Sequence, residues 1–194
     1  MRYIYEYMAQ IQGLSYQENF LTIPEENELV KNIDNQKWSN ALKRRVQHYG
    51  HVYEYKNAVN NQDNKAIEIP DFLLKLFEKV KNNNYARDVD ISTLQIIVNE
   101  YLPGQGIHHH VDDPVKFGEW IVGVNLGSNV MMEFKNKTTG EITKQYLHRR
   151  SIYEMKDDAR YNYSHSILGK KTDSYRGFIH HRSRRVSITF RYMK

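Results

Sequence analysis

The stretch Leu94-Gln95-Ile96-Ile97-Val98-Asn99-Glu100-Tyr101, with the turn Leu102-Pro103-Gly104-Gln105-Gly106 behind it, changes the period of the chain from helix to strand. Leu94, Ile96 and Val98 alternate with Gln95, Ile97 and Asn99, the two-residue repeat of a strand with one face toward a core. Upstream the repeat is helical. Thr22-Ile23-Pro24-Glu25-Glu26 starts a helix, with Pro in the first turn and acids at the positive end of the dipole, and Leu29, Val30 and Ile33 give it an apolar face that ends before Trp38. A second helix starts at Pro70, carries Phe72, Leu73, Leu76, Phe77 and Val80 at helical spacing, and stops in Asn82-Asn83-Asn84. Downstream, Trp120 to Leu126, Val130 to Phe134, Ile142 to Leu147, Ser151 to Met155 and Arg185 to Tyr192 are short strand candidates, with a hairpin turn at Asn136-Lys137-Thr138-Thr139-Gly140. Two helices followed by many short strands predict an α+β fold, a sandwich or barrel covered by helices on one side.

Composition narrows the chemistry. The 194 residues suit one domain, and 40% hydrophobic with 26% charged residues excludes general disorder. There is no cysteine, hence no disulfide framework, thiolate metal site or cysteine nucleophile, and any metal must be held by His, Asp or Glu. A mean hydropathy of −0.76 and an apolar run no longer than Trp120 to Leu126 argue against a membrane span, and Met1 to Gln12 lacks the apolar core of a secretory signal, so a soluble intracellular protein is the expectation. Lys and Arg number 28 against 23 Asp and Glu, a net charge of +5. The basic residues cluster late, at Arg149-Arg150, Lys170-Lys171 and Arg176 through Arg185, which is compatible with a nucleic-acid face and equally with a solvated surface.

The histidines carry the sharpest signal. His108-His109-His110 stands just after the Pro103-Gly104 turn and is followed by Val111-Asp112-Asp113. On a strand His110 and Asp112 share a face and can offer an imidazole and a carboxylate to one ion, with His165 the candidate third ligand. Taken alone, the H-x-D pair also fits two polar strand residues. Two His and one carboxylate on one face leave metal positions open, the arrangement of non-haem Fe(II) oxygenases. His109 points away from His110, His108 is a neighbour of the site, and His180-His181, in a Gly/Lys/Ser-rich loop over Leu168 to Arg184, ranks below His165. The last strand supplies the companion signal: Arg185, Ser187, Thr189 and Arg191 alternate with Val186, Ile188 and Phe190. If the polar face lines an interior, its guanidinium groups need carboxylate partners, and a dicarboxylate co-substrate satisfies them. Asn99 and Tyr101 can add an amide and a phenol to the same ligand.

Asn99-x-Tyr101, Leu102-Pro103-Gly104-Gln105-Gly106-Ile107, His110-Val111-Asp112, the distal His165 and Arg185-x5-Arg191, in that order, resemble the AlkB family of Fe(II)/2-oxoglutarate dioxygenases. Leu126-Gly127-Ser128 and Arg149-Arg150-Ser151 resemble its strand ends. Within the family the likeness is closest to the oxygenase domain of the tRNA wobble-uridine hydroxylase branch, through Arg44-Arg45-Val46-Gln47-His48-Tyr49-Gly50, Ile69-Pro70-Asp71 and Ala159-Arg160-Tyr161. The chain is read as lacking the RNA-recognition and methyltransferase domains that flank the oxygenase there, which weakens any transfer of that exact substrate. The resemblance implies a double-stranded β-helix, or jelly roll, flanked by the N-terminal helices. It implies one domain over 1–194 with the metal and co-substrate core at 85–194. His110, Asp112 and His165 would bind Fe(II). Asn99, Tyr101, Arg185, Arg191 and Ser187 would bind 2-oxoglutarate, Arg185 at its distal carboxylate, with O₂ as second co-substrate. Ser187 departs from the Asn that the bacterial repair enzyme carries at this place.

Substrate selection is expected in Arg44 to Tyr55, which resembles the family's nucleotide-recognition lid. Arg44, Arg45, His48, Tyr49 and Tyr53 mix charge with flat rings that can stack a base and meet phosphates, and they suit equally a hairpin whose tyrosines pack on the core. Asp113 reads as the cap of a turn at Pro114. The function implied is oxidation of a modified base in nucleic acid, by demethylation or hydroxylation, with a hydroxylase or demethylase of protein side chains as the alternative. DNA or RNA, the modified position and the oligomeric state are left open.

Overall fold

Thr22 starts the first helix through a reciprocal cap: its hydroxyl accepts from the Glu25 N–H, while the Glu25 carboxylate accepts from the Thr22 N–H at 2.7 Å. In the computed structural model, which describes residues 11–40, 44–51 and 67–194, this helix is α1 (Ile23–Asp34), preceded by β1 (Leu14–Gln17). β2 (Val46–Gly50) and α2 (Asp71–Asn82) follow, then a 3₁₀ turn at Ile91–Thr93 and β3 (Leu94–Tyr101). The remaining elements are β4 (Ile107–His110), β5 (Ile121–Leu126), β6 (Val130–Asn136), β7 (Ile142–Leu147), β8 (Ser151–Met155), α3 (Asp157–Tyr161), β9 (Tyr163–Ile167), β10 (Thr172–Tyr175), β11 (Phe178–His181) and β12 (Arg185–Tyr192).

The strands form a six-stranded sheet in the order β1-β8-β5-β12-β3-β2 and a four-stranded sheet in the order β4-β9-β6-β7. Every pairing between these strands is antiparallel, giving the jelly roll of two facing sheets. β12 sits in the middle of the larger sheet, with Arg185 opposite Tyr101, Ser187 opposite both Asn99 and Asn125, and Arg191 opposite Gln95. Its other face carries Val186, Ile188 and Phe190. These pack with Leu94, Ile96 and Val98 of β3 against Ile33, Leu73, Phe77 and Val80 of the helices, and the Phe77 and Phe190 rings stack at 5.4 Å. A second apolar cluster, with Ile121, Met132, Phe134, Leu147 and Met155 among its members, lies between the sheets. β12 therefore separates two environments: apolar toward the helices, polar toward the other sheet.

The glycine and arginine strand ends have a structural task. Glu26, buried at 1% exposure on α1, accepts from the Gly127 N–H at 2.8 Å and from the Arg149 guanidinium at 2.6 to 3.2 Å. That contact fastens the helix to the turns after β5 and β7. Gly127 has φ +77°, and a Cβ there would lie 2.5 Å from the Arg184 carbonyl oxygen, so no other residue fits without a shift.

Two differences from the expected layout matter. Leu168 to Arg184 is no plain loop: Thr172 to Tyr175 pairs antiparallel with Phe178 to His181 through a tight turn at Arg176-Gly177, both at positive φ. Asp112 lies just past the end of β4 rather than on it.

Replacing Glu26 by Ala removes a buried charge partner and leaves the Gly127 N–H without its acceptor. The expected loss, read by urea denaturation, is about 2 kcal/mol. Glu26→Gln, which keeps an acceptor for Gly127, should lose less; equal losses would mean that the N–H contact contributes nothing.

Candidate metal centre

A register shift in β4 aims the histidines. Ile107 lies opposite Ile167 and His110 opposite His165, so three residues of β4 are matched by two of β9. Ile107 and His110 thereby face the same interior, which plain alternation forbids for residues three apart. His109 points to the outer face of the smaller sheet, where its Nε2 lies 3.1 Å from the Ser166 hydroxyl. His110 Nδ1 is 2.8 Å from the His108 carbonyl oxygen. With the proton on Nδ1 donated there, the Nε2 lone pair is free for a metal.

His110, Asp112 and His165 converge, each offering a ligand atom within 4.8 Å of the others. His165 Nε2 is 3.7 Å from Asp112 Oδ2, and the two imidazoles are 4.3 Å apart between ring centroids. Burial pushes the His165 imidazole down to about 3, with the His110 charge acting the same way, so the ring is neutral and can ligate. Burial alone would raise the Asp112 carboxyl. The neighbouring His165, Arg191 and His110 side chains outweigh it electrostatically and hold the group below its ordinary value, as an anion. Two imidazoles and one carboxylate at one end of a cavity fit a divalent first-row metal such as Fe(II).

That cavity, about 240 Å³, is lined by the three residues together with Asn99, Tyr101, Arg185, Ser187 and Arg191. The two arginines differ in their engagements. Arg191 is committed: it donates to Asp112 Oδ1 and to Gln95 Oε1, and its guanidinium lies 3.8 Å from the centroid of the Phe117 ring. Arg185, 4% exposed, donates to Asn125 Oδ1 and lies 5.3 Å from the Tyr101 ring centroid, yet forms no ion pair among the described residues. Its burial depresses the guanidinium pKa, opposed by the phenols of Tyr101 and Tyr153. A buried cation without a counter-charge, lining a cavity, fits the distal carboxylate of a dicarboxylate ligand. Tyr153, lifted to about 12 by burial, completes the wall; its ring occupies the space over Gly123, where a Cβ would come within 2.2 Å of it.

The segment expected to select the substrate divides by strand parity. Val46 and His48 pair with Asn99 and Ile97, on the cavity side, whereas Gln47 and Tyr49 pair with Val98 and Ile96, on the helix side. Arg44 reaches the cavity: its Nε donates to Asn99 Oδ1 at 2.8 Å and its guanidinium lies 5.6 Å from the Tyr101 centroid. His48 is half-buried, and burial together with the charges of Arg191 and Arg44 lowers its pKa. Arg45 and Tyr49 are engaged away from the cavity. Arg45 clasps Glu100 at 2.6 Å and covers the Trp38 ring, and Tyr49 is buried in the helix-side core with its hydroxyl on Gln47. Tyr53 lies outside the described residues. Asp113 caps its turn, accepting from the Val115 N–H at 2.9 Å and the Lys116 N–H at 3.2 Å. His180 packs on the rings of Tyr146 and Tyr175.

Arg160 had no assigned role in the sequence. It is 2% exposed on α3 and donates to the carbonyl oxygens of Asp112 at 2.7 Å, Asp113 at 3.4 Å and Gly118 at 3.3 Å. It holds the backbone that presents the Asp112 carboxylate. The signal was a basic residue amid a short acidic helix, which no local pattern connects to a segment 48 positions away.

The sequence profile of the 2OG-Fe(II) oxygenase superfamily matches residues 23–191. The chain belongs to that superfamily. Protein L905 of Acanthamoeba polyphaga mimivirus is 37% identical over 183 residues, 93% of this chain and 85% of that one. The tRNA (carboxymethyluridine(34)-5-O)-methyltransferase ALKBH8 of Macaca fascicularis is 33% identical over 181 residues, 88% of this chain. This chain spans about a quarter (26%) of that protein's length. The solved structure of OsALKBH1 superposes with a TM-score of 0.65 at 14% identity, over 92% of this chain and 97% of that one, which supports the fold. The protein is an Fe(II)/2-oxoglutarate-dependent dioxygenase with AlkB-family homologues, and Fe(II), 2-oxoglutarate and O₂ are its cofactor and co-substrates. No helix among the described residues is long and apolar enough to cross a membrane.

Arg160→Lys keeps the charge but cannot reach three carbonyls at once. A cobalt(II) titration of the variant should show binding weakened by about 10- to 100-fold, the usual effect of disturbing groups behind a ligand. Unchanged cobalt affinity would reduce Arg160 to a packing residue.

Proposed function

We propose that the protein oxidises a modified base in nucleic acid, by demethylation or hydroxylation. In this reading His110, Asp112 and His165 hold the iron, and Asn99, Tyr101, Arg185, Ser187 and Arg191 hold 2-oxoglutarate. The observation that carries the site assignment is Arg185, buried in the cavity wall beside the cluster with no carboxylate of the described residues to pair with. The substrate class is supported by the macaque relative, whose name places its activity on tRNA, and RNA is therefore the first substrate to try.

When bound, iron and 2-oxoglutarate supply the oxidant: the co-substrate loses CO₂ and becomes succinate, one oxygen atom of O₂ entering succinate and the other a C–H bond of the base. The chain's own residues position and shield. The Arg185 guanidinium takes the distal carboxylate of the co-substrate, with the Tyr101 phenol beside it. Arg191 holds Asp112 Oδ1, which fixes the carboxylate and leaves Oδ2 turned toward His165. His110 is oriented through the His108 carbonyl. Arg44, bound to Asn99 at the cavity wall, joins the base-recognition strand to the co-substrate pocket and supplies a cation for a phosphate or carboxylate there. His48 stands on the same side, while Arg45 and Tyr49 support the strand from behind.

Succinate formation from 2-oxoglutarate, measured with and without single-stranded oligonucleotides bearing N-methylated bases or a tRNA anticodon stem, tests the reading. Stimulation by one of these is expected. Turnover that no nucleic acid stimulates but a peptide does would replace it with the protein side-chain alternative. His110→Ala should abolish succinate formation with folding intact, and retained turnover would sink the ligand set. Arg185→Met should raise the 2-oxoglutarate concentration for half-maximal turnover by about 10- to 100-fold, the equivalent of one lost charge-assisted contact. An unchanged requirement would detach Arg185 from the co-substrate.

A further inference from the structure

The late basic cluster is not absorbed by the cavity. Of its later arginines, Arg185 lines the cavity, Arg182 clasps the buried Asp173 at 2.6 Å, and Arg184 pairs with Asp34 and Glu100. Lys170, Lys171 and Arg176 are exposed and form no ion pair among the described residues. They lie on the segment between the strand of His165 and the strand of Arg185, and among the described residues β10 and β11 on that segment pair only with each other.

The same segment presents its side chains against the usual rule of burial. Phe178 is 71% and Ile179 73% exposed, adjacent on β11 immediately after the turn. The hairpin is held rigidly enough to display them. Asp173, already clasped by Arg182, also accepts from the Met131 N–H at 3.2 Å, and the Tyr175 ring stacks on Tyr146 at 4.0 Å and 10°. At the root, the Gly104 N–H donates to the Lys170 carbonyl at 3.0 Å. Lys170 follows Ile167, a residue of the cavity wall, by three positions, about 10 Å of extended chain.

We propose that this hairpin is a docking surface for single-stranded nucleic acid, with Lys170, Lys171 and Arg176 meeting phosphates and the Phe178 ring stacking an unpaired base. Cations without an acidic partner beside an exposed ring are the recognition chemistry of single strands, because every base offers a face and every nucleotide a charge. The only acid on the hairpin is Asp173, and it is neutralised by Arg182, so the hairpin itself carries no free acid to repel a phosphate backbone. A second copy of this chain is the poorer occupant, since two such tips bring like charges together. The proposal rests on the nucleic-acid reading above and adds the surface on which the strand lies outside the cavity.

The test is fluorescence anisotropy of a labelled single-stranded oligoribonucleotide, with the wild-type chain, Phe178→Ala, and the triple replacement of Lys170, Lys171 and Arg176 by Ala. Thermal midpoints serve to check that each variant folds. Phe178→Ala is expected to weaken binding about tenfold or more. The triple variant is expected to flatten the slope of log affinity against log salt by about 2, three phosphates at roughly 0.7 each. If the wild type binds and both variants bind with the same affinity and salt slope, the hairpin proposal is overturned and the nucleic-acid reading survives. If the wild type binds no oligonucleotide, that reading fails and takes the hairpin with it. A wild-type dimer in sedimentation that Phe178→Ala converts to monomer would assign the surface to a second copy and likewise overturn the proposal.

Discussion

The two-residue period of Arg185 to Tyr192, held between β3 and β5, is the constraint on which the rest of the molecule depends. A strand in the middle of a sheet must satisfy both faces at once. Here one face is given to Val186, Ile188 and Phe190, which pack under the helices, and the other to Arg185, Ser187, Thr189 and Arg191, which line the cavity. A slip of one residue would drive two guanidinium groups into the helix-side core and expel the apolar side chains, so the register is strongly specified. Asn99 and Tyr101 are placed by the same pairing, because β3 is read off β12 residue by residue.

The smaller sheet solves a different problem. It must present His110 and His165 toward the same point while keeping Ile107 and Ile167 in the wall behind them, and the extra residue of β4 reconciles the two demands. Asp112, beyond the end of the strand, has no ladder to hold it. Arg160 does that from behind and Arg191 from the side, so the carboxylate is fixed by two guanidinium groups drawn from α3 and β12. The anion is thus prepared electrostatically as well as geometrically.

Much of this was legible in the sequence where the information is local. The capping box at Thr22, the apolar stripe from Phe72 to Val80, the alternation in Leu94 to Asn99 and the turn at Asn136 each depend on a few neighbouring residues and appear as expected. The candidate site residues His110, Asp112, His165, Asn99, Tyr101, Arg185, Ser187 and Arg191 are brought to one cavity. What escaped notice is non-local. Whether Tyr49 meets a base or the core is decided by which residue of β3 it faces, and charge and aromaticity do not encode that. Arg160 carries no local sign of its carbonyl partners, one of which lies 48 positions away at Asp112. The bulge in β4 leaves no mark of its own, since three histidines in a row read the same with or without an extra residue.

The hairpin of β10 and β11 lies outside both main ladders, and its length and side chains have no bearing on the register of the strands on either side. Related barrels can therefore lengthen, shorten or recolour this one finger and leave the oxidising interior untouched. Such a division keeps change on an exposed finger apart from the geometry that the reaction needs.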